Sequence, residues 1–149
     1  MNSSDQRTFP ARMAMLAETA AFVETFCNRA GVARDDALRL TLIVEELFTN
    51  TVEHGHRGDS DAPVQVALGV RDDALLLRFE DGAPAFDPRP QMATPPASLD
   101  APVETRPLGG LGMHLVARLA RDVRYAYEGG RNRLWIELRR GGAAAPRVA

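Results

Sequence analysis

Proline placement is the feature that most limits how this chain can fold. Seven of its ten prolines lie between Pro84 and Pro107. Because proline fixes φ and lacks the N–H that helices and central strands use, this stretch is predicted to form neither. Long irregular segments inside a compact domain are typically functional lids or disordered loops. Regular structure is therefore expected on either side of this segment.

The residues before the proline-rich segment show helical and then strand periodicity. The predicted elements are an edge strand over 7–9, helices over about 11–30 and 35–54, and hairpin strands over 64–70 and 74–80. Gly31 and Gly55 are the predicted helix ends, and Asp35 or Asp36 is the predicted cap of the second helix. Two helices therefore stand between the first strand and the hairpin.

The residues after the proline-rich segment predict one more helix and one more hairpin. The helix opens at Gly109 and runs to about Ala120, and the strands cover 123–127 and 134–138. The order β-α-α-β-β-loop-α-β-β predicts an α+β fold, a two-layer α/β sandwich with a mixed, mostly antiparallel sheet and helices on one face. Residues 1–149 are interpreted as a single domain, with a disordered Gly/Ala-rich tail over 141–149.

The amino-acid composition limits the classes of reaction that this chain can catalyse. The 149 residues are 45% apolar and 26% charged, which is typical of one soluble globular domain with a core of its own. All 18 basic residues are arginine. The absence of lysine excludes Schiff-base enzymes, phosphate-loop lysine sites and protein kinases with a strand-borne ATP lysine. Any phosphate handled here must meet arginine, backbone N–H groups, helix ends or a metal ion.

Charge and apolar patterning argue against nucleic-acid and membrane partners. The net charge is −2 with no long run of either sign, and no apolar run approaches the length of a membrane span. The N-terminal residues lack a signal-peptide pattern. Cys27, the single cysteine, lies in an apolar helical stretch and is expected to be a buried, unreactive thiol. We expect a cytoplasmic protein.

Three polar motifs carry the candidate chemistry, and the first lies on the second predicted helix. Glu46, Asn50 and His54 share one helical face at successive four-residue steps. A carboxylate and an amide oxygen one turn apart suit Mg²⁺ coordination and proton abstraction from a nucleophile. The same pattern also describes an ordinary solvated face with a histidine favoured by the helix dipole.

The second and third motifs flank the proline-rich segment. Asp81 ends an apolar strand, where a carboxylate can accept a hydrogen bond from an exocyclic amine such as that of adenine. A plain turn rich in Asp, Gly and Pro is the alternative. Gly110, Leu111 and Gly112 open an apolar helix, where free N–H groups and the helix dipole suit an anion. Arg106 stands just upstream as a source of positive charge, and a flexible hinge is the alternative for this motif.

Together the motifs resemble one family. The chain combines a helical Glu-x3-Asn-x3-His-Gly, a strand ending in Asp-x2-Pro-Ala-Phe-Asp-Pro, a proline-rich lid and a Gly-Gly-Leu-Gly helix start. This combination resembles the Bergerat-fold (GHKL-type) ATPases and, within them, the stand-alone anti-sigma factor serine-protein kinases. The phrase Gly-Gly-Leu-Gly-Met-His-Leu-Val is especially characteristic of that branch. The resemblance covers about Phe9 to Leu138.

The resemblance implies a role for each motif. Glu46 would be the general base for a protein serine hydroxyl, and Asn50 would coordinate the Mg²⁺ that bridges the phosphates of ATP. Asp81 would bind the adenine amino group, and residues of about 88–108 would form a lid over the nucleotide. The phosphate contacts would come from Arg106, Gly110, Leu111 and Gly112.

One position departs from the family pattern. When the sequences are aligned on Phe86–Pro88, the family's Asp-x-Gly falls on Asp81 to Ala83, so that alanine replaces the usual glycine in the base-binding motif. A second register keeps the glycine at Gly82 but moves the adenine contact to Glu80. We prefer the first register, because one added methyl group is a milder change than a moved adenine contact.

The sequence thus predicts an ATP-binding anti-sigma regulatory factor with serine-protein kinase activity. Such a protein phosphorylates an anti-sigma-factor antagonist, sequesters a sigma factor and typically forms a homodimer. Two alternatives remain open: a nucleotide-sensing binding module without kinase activity, which the Ala83 departure motivates, and a switch kinase of the same fold that acts on a scaffold protein. His54 and His114 are expected to pack at helix ends.

Overall fold

A computed structural model describes residues 3–93 and 110–141, which form a five-stranded sheet with helices packed against one face. The strands are β1 Ser3–Pro10, β2 Pro63–Arg71, β3 Ala74–Asp81, β4 Asp122–Glu128 and β5 Arg131–Arg139. The helices are α1 Leu16–Ala30, α2 Arg34–Asn50, α3 Arg89–Ala93 and α4 Gly110–Leu119. The α+β sandwich predicted from the sequence is confirmed.

The strand order is β1-β2-β3-β5-β4. The sequence predicts a mixed, mostly antiparallel sheet, and each of the four pairings among the described residues is antiparallel. Helices α1 and α2 run back and forth between β1 and β2, so the chain re-enters the sheet antiparallel to β1. Short connections then make hairpins of β2 with β3 and of β4 with β5, which requires antiparallel strands.

One apolar core lies between the helices and the sheet. Phe9 of β1 meets Phe22 of α1 and Phe48 of α2 edge to face, with ring centroids 5.9 and 6.4 Å apart. Cys27 is 1% exposed within this core, and burial raises the pKa of its thiol to about 11. The expected buried thiol is therefore confirmed.

The predicted end of α1 is confirmed. Gly31 follows the helix in the left-handed region at φ 72°, and its N–H donates to the carbonyl of Cys27. This conformation suits glycine because it has no Cβ to clash with the preceding carbonyl.

The predicted cap of α2 is wrong. The helix begins at Arg34 and has no side-chain cap. Asp36 is instead 1% exposed, and its carboxylate accepts hydrogen bonds from the Arg39 guanidinium and, at 2.8 Å, from the N–H of Gly141. The carboxylate therefore ties α2 to the chain just after β5, while Asp35 remains exposed.

Two further local elements differ from the prediction. α2 ends at Asn50, and a π-helical turn over Thr51–Gly55 continues to the glycine that was expected to stop the helix. The prolines predict no helix after β3, yet α3 forms there, because Pro90 lies in its first turn, where a missing N–H breaks no helical hydrogen bond. The remainder of the predicted lid lies outside the described residues, as does the predicted tail beyond Gly141, whose N–H is bound to Asp36. None of the described helices is long and apolar enough to cross a membrane.

Candidate functional site

A cavity of about 360 Å³ opens between the end of α2, the ends of β3 and β5, and α4. It brings together Asn50, Asp81 and Ala83, three of the residues predicted from the motifs. Ligand pockets for small molecules commonly have this size. Its wall also includes Thr51, His54, Arg57, Phe86, Tyr125 and Asn132.

Asp81 is the buried carboxylate of this cavity and is 7% exposed. Its Oδ2 accepts a hydrogen bond from Thr51 Oγ1 at 2.8 Å. Its Oδ1 accepts from the N–H of Ala83 at 3.0 Å and from Asn132 Nδ2 at 2.9 Å. Since a carboxylate oxygen can accept about two hydrogen bonds, Oδ2 keeps one acceptor position for a donor in the cavity.

The neighbouring Glu80 points to the opposite face of the sheet, because successive side chains alternate along a strand. Its carboxylate lies 2.8 Å from Arg78 and 3.3 Å from both Arg131 and Arg133. These ion pairs hold it away from the cavity. Of the two registers considered for the base-binding motif, the one centred on Asp81 is the one whose carboxylate lines the cavity.

The methyl group of Ala83, which departs from the family pattern, packs against Gly55. Ala83 is 3% exposed, and a Cβ at Gly55 would lie only 2.9 Å from the Ala83 Cβ. Packed cores do not tolerate so close an approach without a shift of the backbone. The space for a methyl group at one position therefore depends on glycine at the other.

Asn132 is a site residue to which the sequence motifs assign no role. It is 9% exposed, and every polar atom of its side chain is engaged. It fixes both the Asp81 carboxylate and the backbone that follows β3. Its hydrogen-bond partners are Asp81 Oδ1, the carbonyls of Ala83 and Pro84 at 3.0 and 3.1 Å, the N–H of Phe86 at 3.0 Å, and the hydroxyl of Tyr125.

The alternation of inward and outward side chains along β5, its parity, gives a sequence signal for Asn132. Asn132 pairs with Asp81 across the sheet and shares the inward direction of Leu134 and Ile136. A polar side chain at an inward position of an apolar strand needs buried partners. The predicted strand begins at residue 134, which leaves Asn132 in the turn and hides this parity.

Glu46 lies on α2, one turn before Asn50, where it faces the first turn of α4. A Cβ at Gly112 would lie 1.8 Å from Oε2 of Glu46, so the carboxylate occupies the space beside this glycine. Burial raises the pKa of Glu46, and the nearby carboxylates of Glu45 and Glu53 raise it further. The raised pKa makes the carboxylate a better proton acceptor than an exposed glutamate.

The start of α4 presents backbone N–H groups at the same end of the site. The helix begins at Gly110, and the N–H groups of Gly110, Leu111 and Gly112 have no partner within the helix. Arg106 lies outside the described residues. Arg57, which follows the π turn with φ 60°, lines the cavity and was not indicated by the motifs. His114 lies on α4 and does not line the cavity.

Asn50 is the metal-ligand candidate. Residues 3–93 and 110–141 contain no group of three or more His, Cys, Asp or Glu side chains placed to hold a metal ion. Mg²⁺ commonly takes only one or two protein oxygens and completes its shell with water and substrate phosphates. The Asn50 amide on the cavity wall, with Glu46 one turn away, fits a Mg²⁺ shared with phosphate and does not fit an all-protein cage.

Comparisons with known proteins agree with this geometry. Residues 9–138 match the family model of the histidine kinase-like ATPase domain. The protein named serine-protein kinase RsbW from Listeria innocua is 30% identical over 104 residues, which cover 69% of this chain and 66% of that protein. The Bacillus cereus protein of the same name is 27% identical over 122 residues, which cover 81% and 76% of the two chains.

Solved structures show the same fold at low sequence identity. A crystal structure of the RsbU and RsbW domains of a Mycobacterium tuberculosis protein superimposes with a TM-score of 0.64 at 16% identity, over 93% of this chain and 32% of that one. The SiaB–SiaC complex from Pseudomonas aeruginosa gives 0.56 at 11% identity, over 90% and 88% of the two chains. The chain thus shares its architecture with both.

Proposed function

Since this chain belongs to the histidine kinase-like ATPase domain family, we propose that it is an ATP-dependent serine-protein kinase of the anti-sigma type. The observation that carries the proposal is the buried Asp81 carboxylate, whose Oδ2 keeps one acceptor position toward a cavity of about 360 Å³. An exocyclic amine such as that of adenine is the complementary donor. The relatives named serine-protein kinase RsbW support protein serine as the phosphate acceptor.

In this proposal the nucleotide lies along the cavity from β3 to α4. Asp81 receives the adenine amino group, and Ala83 forms part of the wall beside the base. Asn50 holds Mg²⁺, which neutralises phosphate charge when it is bound. The phosphate contacts come from the backbone of Gly110, Leu111 and Gly112 and from Arg106.

Glu46 is the proposed general base. It accepts the proton of the serine hydroxyl as that oxygen forms its bond to the terminal phosphorus and the bond to the leaving diphosphate oxygen breaks. Burial and two neighbouring carboxylates raise its pKa, which favours proton uptake. Phosphoryl transfer otherwise depends on positioning and charge stabilisation more than on covalent chemistry by the protein.

The proposed partners follow from the family. The serine belongs to an anti-sigma-factor antagonist, and the kinase sequesters a sigma factor when that antagonist is phosphorylated. We further propose that the chain acts as a homodimer in the cytoplasm. The RsbW names of the relatives and the RsbU–RsbW and SiaB–SiaC titles of the structural neighbours support a regulatory protein partner.

Phosphate transfer to a candidate anti-sigma-factor antagonist tests the proposal. The purified protein is incubated with Mg·ATP and the antagonist, and phosphoserine is measured by mass spectrometry alongside ATP binding by calorimetry. Wild-type protein should bind ATP and transfer phosphate, Glu46→Gln should bind but lose transfer, and Asp81→Asn should lose binding. Glu80→Gln is the matched control, because Glu80 faces the other side of the sheet, and it should bind ATP as wild type does.

Two results would redirect the proposal. Nucleotide binding without phosphoserine would favour the nucleotide-sensing module, and transfer to a larger scaffold without capture of a sigma factor would favour the switch kinase. Wild-type transfer by Glu46→Gln would contradict the assignment of the base.

A further inference from the structure

The backbone conformation of Gly112 does not explain why glycine occupies this position. It lies in the first turn of α4, with no left-handed φ that would call for glycine. Glycine there makes a less stable helix than alanine would. The structure points instead to the space beside its Cα.

That space is filled by Glu46. A Cβ built on Gly112 would lie 1.8 Å from Oε2, 2.4 Å from Cδ and 3.1 Å from Oε1 of Glu46. All three atoms belong to one carboxyl group, so the carboxylate of Glu46 occupies the position that a Cβ of residue 112 would take. Gly82 offers a contrast, because a Cβ there would meet no atom within 4 Å.

We propose that Gly112 is a positioning residue for Glu46, a role distinct from the phosphate contact that the motif suggests. This inference rests on the proposed function, in which Glu46 accepts the serine proton. The missing Cβ lets the carboxylate lie between α2 and α4, one turn from Asn50. An added methyl group at position 112 pushes the carboxylate out of line with the serine hydroxyl and leaves the adenine end of the cavity unchanged.

The proposal predicts a reciprocal rescue. Gly112→Ala should lower the rate of phosphate transfer about tenfold or more, because a displacement of about 1 Å at a reacting group can cost on the order of 100-fold. Its dissociation constant for ATP should change by a smaller factor than the transfer rate, because the backbone N–H proposed to contact phosphate is still present in alanine. Glu46→Asp withdraws the carboxyl group by one methylene, so it should slow transfer in the wild-type background and speed it in Gly112→Ala.

The rescue experiment measures transfer rate, ATP affinity and thermal unfolding for wild type, both single variants and the double variant. Gly82→Ala, alone and with Glu46→Asp, is the matched control for unfolding and should show no coupling with Glu46→Asp. Equal slowing by Glu46→Asp in both backgrounds would overturn the positioning role, as would Gly112→Ala that transfers at the wild-type rate. If Gly112→Ala fails to fold, a folded double variant supports the steric contact, and an unfolded one overturns it.

The unfolding data separate this inference from the proposed function. If the wild-type protein transfers no phosphate, the kinase proposal fails. The contact between Gly112 and Glu46 would still appear as melting temperatures that are not additive between Gly112→Ala and Glu46→Asp. If wild type transfers phosphate and no coupling is seen in either measurement, the kinase proposal stands and the positioning role fails.

Discussion

Replacing Asn132 with alanine tests whether one amide holds the carboxylate and the backbone of the cavity in place. Asn132 Nδ2 donates to Asp81 and to two carbonyls after β3, and its Oδ1 accepts from Phe86 and Tyr125. Alanine keeps the strand pairing of β5 with β3 and removes every one of these hydrogen bonds. The change is therefore confined to the polar network.

The size of the effect follows from the groups that the truncation leaves unpaired. Asp81 Oδ1 keeps only the N–H of Ala83, while the Phe86 N–H and the Tyr125 hydroxyl lose their acceptor. Each buried polar group without a partner costs about 1–3 kcal/mol, but water can reach those near the cavity mouth. We expect the free energy of unfolding to fall by about 2–4 kcal/mol, which lowers the melting temperature by roughly 6–12 °C in a chain of this length.

Urea unfolding followed by circular dichroism measures this loss, with Gln65→Ala as the matched control. Gln65 also accepts a side-chain hydrogen bond, from Arg78 at 2.9 Å, but on the outer face of the sheet. Its removal should change the free energy of unfolding by less than about 0.5 kcal/mol. A loss in Asn132→Ala no larger than in Gln65→Ala would refute the argument that the network stabilises the fold.

Asn132→Asp keeps the hydrogen bonds that the side chain accepts and removes those that it donates. The carboxylate still accepts from Phe86 and Tyr125, but it replaces the amide that donates to Asp81 at 2.9 Å. Two carboxylates at this distance cannot both remain charged, so the pKa of one of them rises. Relative to wild type, the variant should gain stability as pH falls from neutral. A pH-independent difference between the two proteins would contradict this reasoning.

Three further predictions use other buried groups. Cys27, with a thiol pKa of about 11 and 1% exposure, should react with a thiol reagent only as fast as the protein unfolds, and prompt labelling of native protein would contradict its burial. Glu46 has a raised pKa, so its contribution to stability is present below the ordinary glutamate pKa and is lost as pH rises through the folded value. Glu46→Gln should therefore melt above wild type at pH 8, with a difference that vanishes near pH 4; a constant difference would refute this. Gly55→Ala should lose about 1–3 kcal/mol of stability to the clash with Ala83, and Ala83→Gly in the same chain should restore most of it. No restoration in the double variant would refute the contact.

The parts of the fold that the sequence predicts are those set by local pattern. Apolar periodicity locates α1, α2 and the two hairpins, and the chain order of the elements then leaves few ways to cover one sheet face. Gly31 ends α1 as expected, because its conformation depends only on the residues around it. Asn50, Asp81 and Ala83 line one cavity, Asn50 from the predicted second helix and the other two from the residues just after the predicted strand 74–80.

The parts that the sequence does not predict depend on contacts between distant segments. Aspartate is a residue type that commonly caps helices, but the Asp36 carboxylate accepts a hydrogen bond from the N–H of Gly141, 105 positions away, and is buried. The methyl group of Ala83 fits only because Gly55 lies opposite, 28 positions earlier. Helix propensity and turn chemistry carry no information about either contact.

The absence of lysine limits which groups can supply positive charge in this site. If phosphate transfer occurs here, the positive charge near the phosphates must come from arginine, Mg²⁺ or helix α4. Arg57 is an arginine that the structure places on the cavity wall, and it adopts a left-handed φ of 60° that is costly for a side chain of its size. A π-helical turn over Thr51–Gly55 lies between α2 and this residue. A guanidinium group can bind two phosphate oxygens at once, whereas lysine acts as a point charge. A chain whose basic residues are all arginine therefore favours a site in which the protein sets the orientation of the phosphate as well as balancing its charge.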